Sequence, residues 1–374
     1  MFFTVNGKAL QQHVKAVYRV INPKCTLKIL DCFLITVKDS ILYITGSDSE
    51  TVLTASLEVS FCDTDGSIAI SAKKLLDIVR EIGDQPINFD IDETTCAINI
   101  KFATGHFSFT GFSAASFPII QFDDTDVKNI TLSADSLITS LKNTSYAIAD
   151  ATSVRPIMQG VLCDFREDEI VFAGTDCHRL VRYSLLKNES DYVGQFVIPS
   201  KSLGILSNLL SSDMGDIDIS VTPKSGIFQF GVYKFQTLFV QGIYPNIERV
   251  IPQDVPLVAS FEKEDMIQAL RRVNLFLSES VPCVKLDLSE NTLKLSSTDP
   301  EYSKSAYESI PCNYSGDNIS IGFNGNFLLS VISNFPISKI NLNLRSPERP
   351  GVFTPTEPND TDKLTTILLP LNIA

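Results

Sequence analysis

The chain is poor in proton-carrying side chains, with three histidines, His13, His106 and His178, in 374 residues. His178 stands two positions from Asp176, and a serine would complete the residue types of a hydrolase triad. The motifs that position such chemistry are missing, however. There is no G-x-S-x-G elbow, no glycine-rich phosphate loop and no H-E-x-x-H helix. The eight cysteines are scattered without a C-x-x-C pair, which argues for reduced core thiols rather than a disulfide frame or a zinc site. No metal and no cofactor are expected. No apolar run approaches the roughly 20 residues of a membrane span, and Met1–Asn6 is too short for a signal peptide. The expectation is a cytoplasmic protein with no membrane partner.

Basic residues are also in deficit. Lys and Arg number 31 against 44 Asp and Glu, a net charge of −13, which by itself argues against a general nucleic-acid binder. That inference fails only if the cations are gathered on one face.

What the sequence does contain is a repeat. Three hairpin patterns end in Ser47-Asp48, Thr175-Asp176 and Thr298-Asp299, set 128 and 123 residues apart. Ile68–Ile70, Phe196–Pro199 and Ile319–Ile321 each lead into a helical pattern, over Ala72–Ile82, Lys201–Leu210 and Asn324–Phe335. Phe117-Pro118, Tyr244-Pro245 and Leu369-Pro370 close the three copies. The chain therefore divides into modules at 1–124, 125–252 and 253–374, each long enough for its own core. No insertion interrupts the repetition, as an elaborated catalytic site would.

Each module opens with a helical pattern. In the first, over roughly Lys8–Ile21, Leu10, Val14, Val17 and Ile21 form one apolar stripe. Lys8, Lys15 and Arg19 cluster within about 40° on nearly the opposite side, with no acid among them. The central module has Ser133–Ala149, with Leu137, Leu141 and Ile148 on one face and Lys142 on the other. The third repeats the first spacing with Met266, Leu270, Val273 and Leu277, flanked by Arg271 and Arg272. The second helix of the first module adds Lys73, Lys74 and Arg80, diluted by Asp77 and Glu81. Arg345–Thr361, with four prolines, reads as a loop, and Ile367–Leu371 as an apolar tail that forms an edge strand or part of a binding surface.

Four segments carry a resemblance to a known family. Thr175-Asp176-Cys177-His178-Arg179-Leu180 is similar to the T-D-x-H-R-L signature of the bacterial DNA polymerase III beta subunit, the sliding clamp. Tyr244–Pro252 resembles its F-P-x-x-x-R-V-x-P segment, Ile321–Asn324 its I-G-F-N start of the last helix, and Leu368–Leu371 its V-M-P-M ending. The resemblance spans all three modules. It implies an α+β fold of three repeated DNA-clamp modules, each with two helices and two antiparallel sheets, assembled in a ring from two subunits joined head to tail. The implied function is a non-catalytic processivity factor that encircles double-stranded DNA without sequence specificity. Its implied partners are the replicative polymerase, the clamp loader and repair proteins, held through linear peptide motifs.

The resemblance also implies site residues. The peptide groove would use Met158, Thr175, Cys177, His178, Arg179, Leu180, Pro245, Arg249 and Val250, completed by Leu368, Leu369, Pro370 and Leu371. The DNA-facing residues would be Lys8, Lys15, Arg19, Lys24, Lys73, Arg80, Lys142, Lys201, Arg271 and Arg272. The subunit joint would have an apolar core of Phe107, Phe109, Leu275 and Phe276, beside an acidic cluster thinned to Asp299, Glu301 and Glu308, with Lys304 intruding and Lys74 facing it. Two other readings compete: an enzyme built on His178, and a three-domain interaction scaffold with no role on DNA.

Overall fold

The computed structural model describes residues 1–118, 125–187, 190–299 and 302–372. The chain folds into two compact units, Met1–Asp135 with Gly204–Phe239, and Ser136–Leu203 with Val240–Ala374. The first holds a five-stranded and a nine-stranded sheet, the second an eight-stranded and a four-stranded sheet, and all their pairings are antiparallel.

Six helices are present among the described residues: α1 Gly7–Val17, α2 Ala72–Ile82, α3 Ala134–Thr144, α4 Ser200–Leu209, α5 Lys263–Val273 and α6 Gly325–Asn334. Each follows directly on a strand, so the strand–helix step occurs twice in every sequence repeat. The triple repeat is visible in the sequence pattern, whereas this finer one emerges only in the fold. Local chemistry explains several starts. The Asn6 side chain accepts from the Ala9 amide (2.9 Å) at the head of α1, and Asn324 accepts from Asn326 and Phe327 (3.0 and 3.2 Å) at the head of α6. Gly7 is required at its position, because a Cβ there would stand 2.3 Å from the Gly83 carbonyl oxygen.

The helices end earlier than the apolar spacing predicts. α1 stops at Val17 rather than Ile21, and α3 at Thr144, with a short 3₁₀ turn Ser145–Ala147 in place of its predicted last turn. Within the first unit, the nine-stranded sheet joins Thr51–Glu58 to Tyr233–Leu238, so strands from the first and central repeats share one ladder.

Two sequence expectations are corrected. Residues 345–361 are not simply a loop, since Gly351–Pro355 is a strand paired on both sides. The prolines flank or terminate it rather than interrupt its ladder. Nor does the tail form an edge. Asp362–Leu368 lies inside the eight-stranded sheet, between Arg179–Leu185 and Gly351–Pro355, which is why it can be apolar on both faces. Only beyond Leu368 does the chain leave that sheet, and Leu371 then bridges to Gly322.

Candidate peptide-binding groove and basic helix faces

The turn Asp176–His178 connects strands Ile170–Thr175 and Arg179–Leu185, and side-chain hydrogen bonds fix it. The Asp176 carboxylate accepts from the His178 and Arg179 amides (2.9 Å each) and from Arg179 Nε (3.0 Å). The Thr175 hydroxyl donates to the Arg179 carbonyl at 2.8 Å. Cys177, at the apex, takes φ +74°, a left-handed conformation. Asp176 is therefore engaged by the backbone and Arg179, while the exposed His178 ring stacks on Phe327 of α6 (5.5 Å, 24°). The Arg179 guanidinium lies 4.9 Å over Phe327 and donates to the Ser330 hydroxyl at 2.7 Å. It also faces Tyr146, whose hydroxyl is pushed up to about 12 by burial, against the opposing pull of Thr366 and Arg179.

Beside this turn is a cavity of about 170 Å³ lined by Arg155, Met158, Thr175, Cys177, His178, Arg179, Leu180, Pro245, Val250, Ile367 and Leu369. Eight expected groove residues besides Leu369 thus converge from three separated stretches of chain. Beneath it Leu162, Val171, Ala173, Leu180, Val197, Tyr244, Ile247, Val352 and Ile367 form one buried cluster. The Tyr244 hydroxyl donates to the Ala173 carbonyl (3.2 Å), seating the Tyr244–Val250 segment on the sheet. Cys177 Sγ lies 3.3 Å from Met158 Sδ and 3.8 Å from Arg155 Nη1.

Other expected groove residues stand apart from this lining. Leu368 is fully buried on the opposite sheet face, Arg249 is exposed, and Pro370 and Leu371 run on toward Gly322. Arg155 lines the cavity although no sequence motif pointed to it, and so does Ile367, which stood in the apolar tail but not among the expected groove residues. Ile367 was findable. In a strand, residues two apart share a face, so Ile367 and Leu369 belong together and Leu368 points away.

The expected DNA-facing residues are all exposed. Lys8 and Lys15 stand on α1, Arg19 and Lys24 just beyond it, Lys73 and Arg80 on α2, Lys142 on α3, Lys201 on α4, and Arg271 and Arg272 on α5. Among the described residues Lys8, Lys15 and Arg19 form no ion pair with an acid. Arg272 does, donating from Nε to Glu308 at 2.8 Å and holding that carboxyl below its ordinary range. Its charge is therefore partly spent within the chain, and Glu308 with it.

Of the expected joint, Phe107 and Phe109 lie on Gly105–Thr110, the outer strand of the five-stranded sheet. They border an open cleft of about 640 Å³, and Lys74 Nζ sits 4.8 Å over the Phe109 ring. Leu275 and Phe276 occupy the turn after α5, 78% and 37% exposed. Asp299 is buried, with Oδ1 unpartnered among the described residues. Glu301 lies outside the described residues. No helix among the described residues is long and apolar enough to cross a membrane.

Repeated strand–helix steps on antiparallel sheets, with cationic helix faces and an apolar surface groove, define a protein of the DNA-clamp class. Comparison with known families agrees over nearly the whole length. Models of the DNA polymerase III beta subunit match residues 1–121 (N-terminal domain), 131–246 (central domain) and 248–371 (C-terminal domain). The beta sliding clamp of Staphylococcus epidermidis is 25% identical over 99% of both chains, and that of Pseudomonas aeruginosa 27% identical over 89% of this chain and 90% of its own. Crystal structures of the sliding clamps from P. aeruginosa and, bound to griselimycin, from Bartonella birtlesii superpose with TM-scores of 0.93 and 0.92. Each is 25% identical, with full coverage of both chains. The chain belongs to the DNA polymerase III beta subunit family, the bacterial sliding clamps, and has their α+β three-module fold. Like them it is a non-enzymatic clamp.

Proposed function

We propose that two copies of this chain join head to tail around duplex DNA, and that the ring tethers the replicative polymerase, the clamp loader and repair proteins in the cytoplasm. The modules would be 1–124, 125–252 and 253–374. Lys and Arg on the helix faces would meet phosphates, which carry no sequence information, so the ring can slide. A modest basic lining suits this task, because strong phosphate binding would act as a brake. The acidic remainder keeps free linear DNA away, and retention becomes topological rather than chemical. Closed circular DNA carrying the loaded protein should hold it, and linearising the circle should release it. Equal retention on both forms would overturn the topological account and favour a scaffold with no role on DNA.

Partners would dock in the groove beside the Asp176–His178 turn. The observation that carries this reading is the convergence of Met158, Thr175, Cys177–Leu180, Pro245, Val250 and Leu369 on one cavity. Leu180, Val250 and Leu369 offer apolar pockets, while backbone groups, His178 and Arg179 orient the polar ends of a peptide. A buried leucine anchor is worth roughly 1.5–3 kcal/mol, so two anchors support micromolar binding after ordering costs. Griselimycin is the probe of choice, since it is the ligand in relatives' clamp structures. It should bind the wild-type chain, and Leu369→Asp should abolish binding without lowering the melting temperature, because Leu369 is already 38% exposed. Undiminished binding by that variant would place the groove elsewhere.

A further inference from the structure

One face of the eight-stranded sheet is split between two kinds of residue. Leu162, Ala173, Leu180 and Ile367 are apolar and lie under the Tyr244–Val250 segment. Farther along the same strands and the same face come Asp164, Arg182 and Ser184, with Arg166 and Glu169 in the adjoining turn. The charged side chains form one network. Arg182 donates from Nη2 to both Glu169 oxygens (2.7 and 2.9 Å), and from Nη1 to Ser184 (2.8 Å). Arg166 donates to Asp164 (2.8 Å) and to Glu169 (2.7 Å).

The network reaches off the sheet at Glu248. Glu248 Oε1 accepts from Arg182 Nε at 3.1 Å and lies 3.0 Å from Arg166 Nη1. Glu248 sits in the tight turn of the segment that supplies Pro245 and Val250 to the groove, where the Val250 amide donates to the Ile247 carbonyl at 3.2 Å. Tyr244 and Ile247 hold the same segment downward into the apolar cluster. The segment is therefore gripped on two sides, and its third side forms a groove wall. Burial works against the Glu248 charge, yet the two arginines more than offset it and hold the carboxyl below its ordinary range. Among the three acids and two arginines, only Glu248 belongs to the groove segment.

We propose that Glu248, through Arg182 and Arg166, is a positioning residue for peptide recognition. It holds the Tyr244–Val250 turn so that Pro245 and Val250 meet a peptide already in place. This rests on the groove reading above. Preorganisation acts on affinity through the population of the competent state: if the positioned wall falls to about a tenth of molecules, the apparent Kd rises about tenfold.

The test uses full-length protein, Glu248→Gln, and two measurements. Amide hydrogen exchange reads the wall without any ligand: the Val250 amide should exchange about tenfold faster in the variant, with the strands of the sheet unchanged. Griselimycin titration reads recognition. Wild-type affinity should weaken between about 0.05 and about 1 M salt as the ion pairs are screened, whereas the variant should bind about tenfold more weakly with a flatter salt profile. Glu248→Asp, which keeps the charge, should recover part of the salt response. Unchanged exchange at Val250 overturns the proposal whatever griselimycin does. Faster exchange with wild-type affinity and salt response reduces the network to a stabilising role and equally overturns it. Failure of wild-type protein to bind griselimycin, with Val250 exchange accelerated as expected, sinks the groove reading and with it the recognition role.

Discussion

Cys177 shows how a single residue can mark a site. It sits at the apex of the Asp176–His178 turn with φ +74°, and its sulfur touches Met158 across the mouth of the groove. An L-residue in this region costs roughly 1–2 kcal/mol, since its Cβ crowds the following carbonyl. The turn bears that strain because Asp176 accepts three hydrogen bonds around it. A β-branched side chain would crowd the backbone further. Cys177→Val should therefore destabilise the chain by about 1–2 kcal/mol in urea unfolding. Cys177→Gly should fall within about 0.5 kcal/mol of wild type, because relief of strain is offset by the extra freedom of the unfolded chain. Equal stability of the valine variant would mean that the turn relaxes out of the left-handed region. The turn's residues were legible in the sequence as a six-residue signature, but neither the strain nor the partners of Arg179 were. Phe327, Ser330 and Tyr146 come to it from 327, 330 and 146 in the chain, and no local pattern announces such a meeting.

At the scale of elements, legibility follows the range of the interaction that decides each one. α1 and α5 were readable because a 3.6-residue apolar period is a local property, and their buried faces, Leu10, Val14 and Val17, then Met266, Leu270 and Val273, are the predicted ones. The strand Gly351–Pro355 was hidden by prolines on either side, and its place in the sheet depends on partners 9 or more residues away. Likewise nothing local distinguishes an interior strand from an edge at Asp362–Leu368. The exposed row of α1 makes a direct prediction. Lys8, Gln12 and Lys15 face solvent without an acid among them, and Arg19 follows just beyond the helix. Removing one lysine–phosphate pair flattens the dependence of log K on log salt by about 0.9, so Lys8→Gln with Lys15→Gln should flatten it by about 1.8 for duplex DNA. Fluorescence anisotropy over a salt series measures the slope, and the melting temperature should be unaltered, because both side chains are exposed. An unchanged slope would assign DNA binding to other helices.

For the whole molecule the decisive feature is what its sheets leave uncovered. Gly105–Thr110 and Lys304–Pro311 are end strands of the five-stranded and four-stranded sheets, and unpaired strand edges invite another chain. The first carries Phe107, 38% exposed, while Tyr307 on the second is 75% exposed and Leu275, just after α5 in the chain, is 78% exposed. Two different surfaces of one chain that fit each other make a heterologous joint, which either closes or grows into filaments. The closed head-to-tail dimer is the expected form. Burial of Leu275 in that joint would contribute roughly 1.5–3 kcal/mol, so Leu275→Ser should raise the dimer dissociation constant by about 10- to 100-fold per joint. The monomer loses little by the change, since the side chain is largely solvated already. Sedimentation at micromolar concentration should show a single dimeric species for wild type and a monomer–dimer mixture for the variant. Thermal unfolding supplies an independent reading. Association stabilises only the folded state, so the wild-type melting temperature should climb with concentration and that of Leu275→Ser should climb less. If the two proteins sediment alike and melt with the same concentration dependence, Leu275 lies outside the joint, and the aromatic strand edges must be covered in some other way.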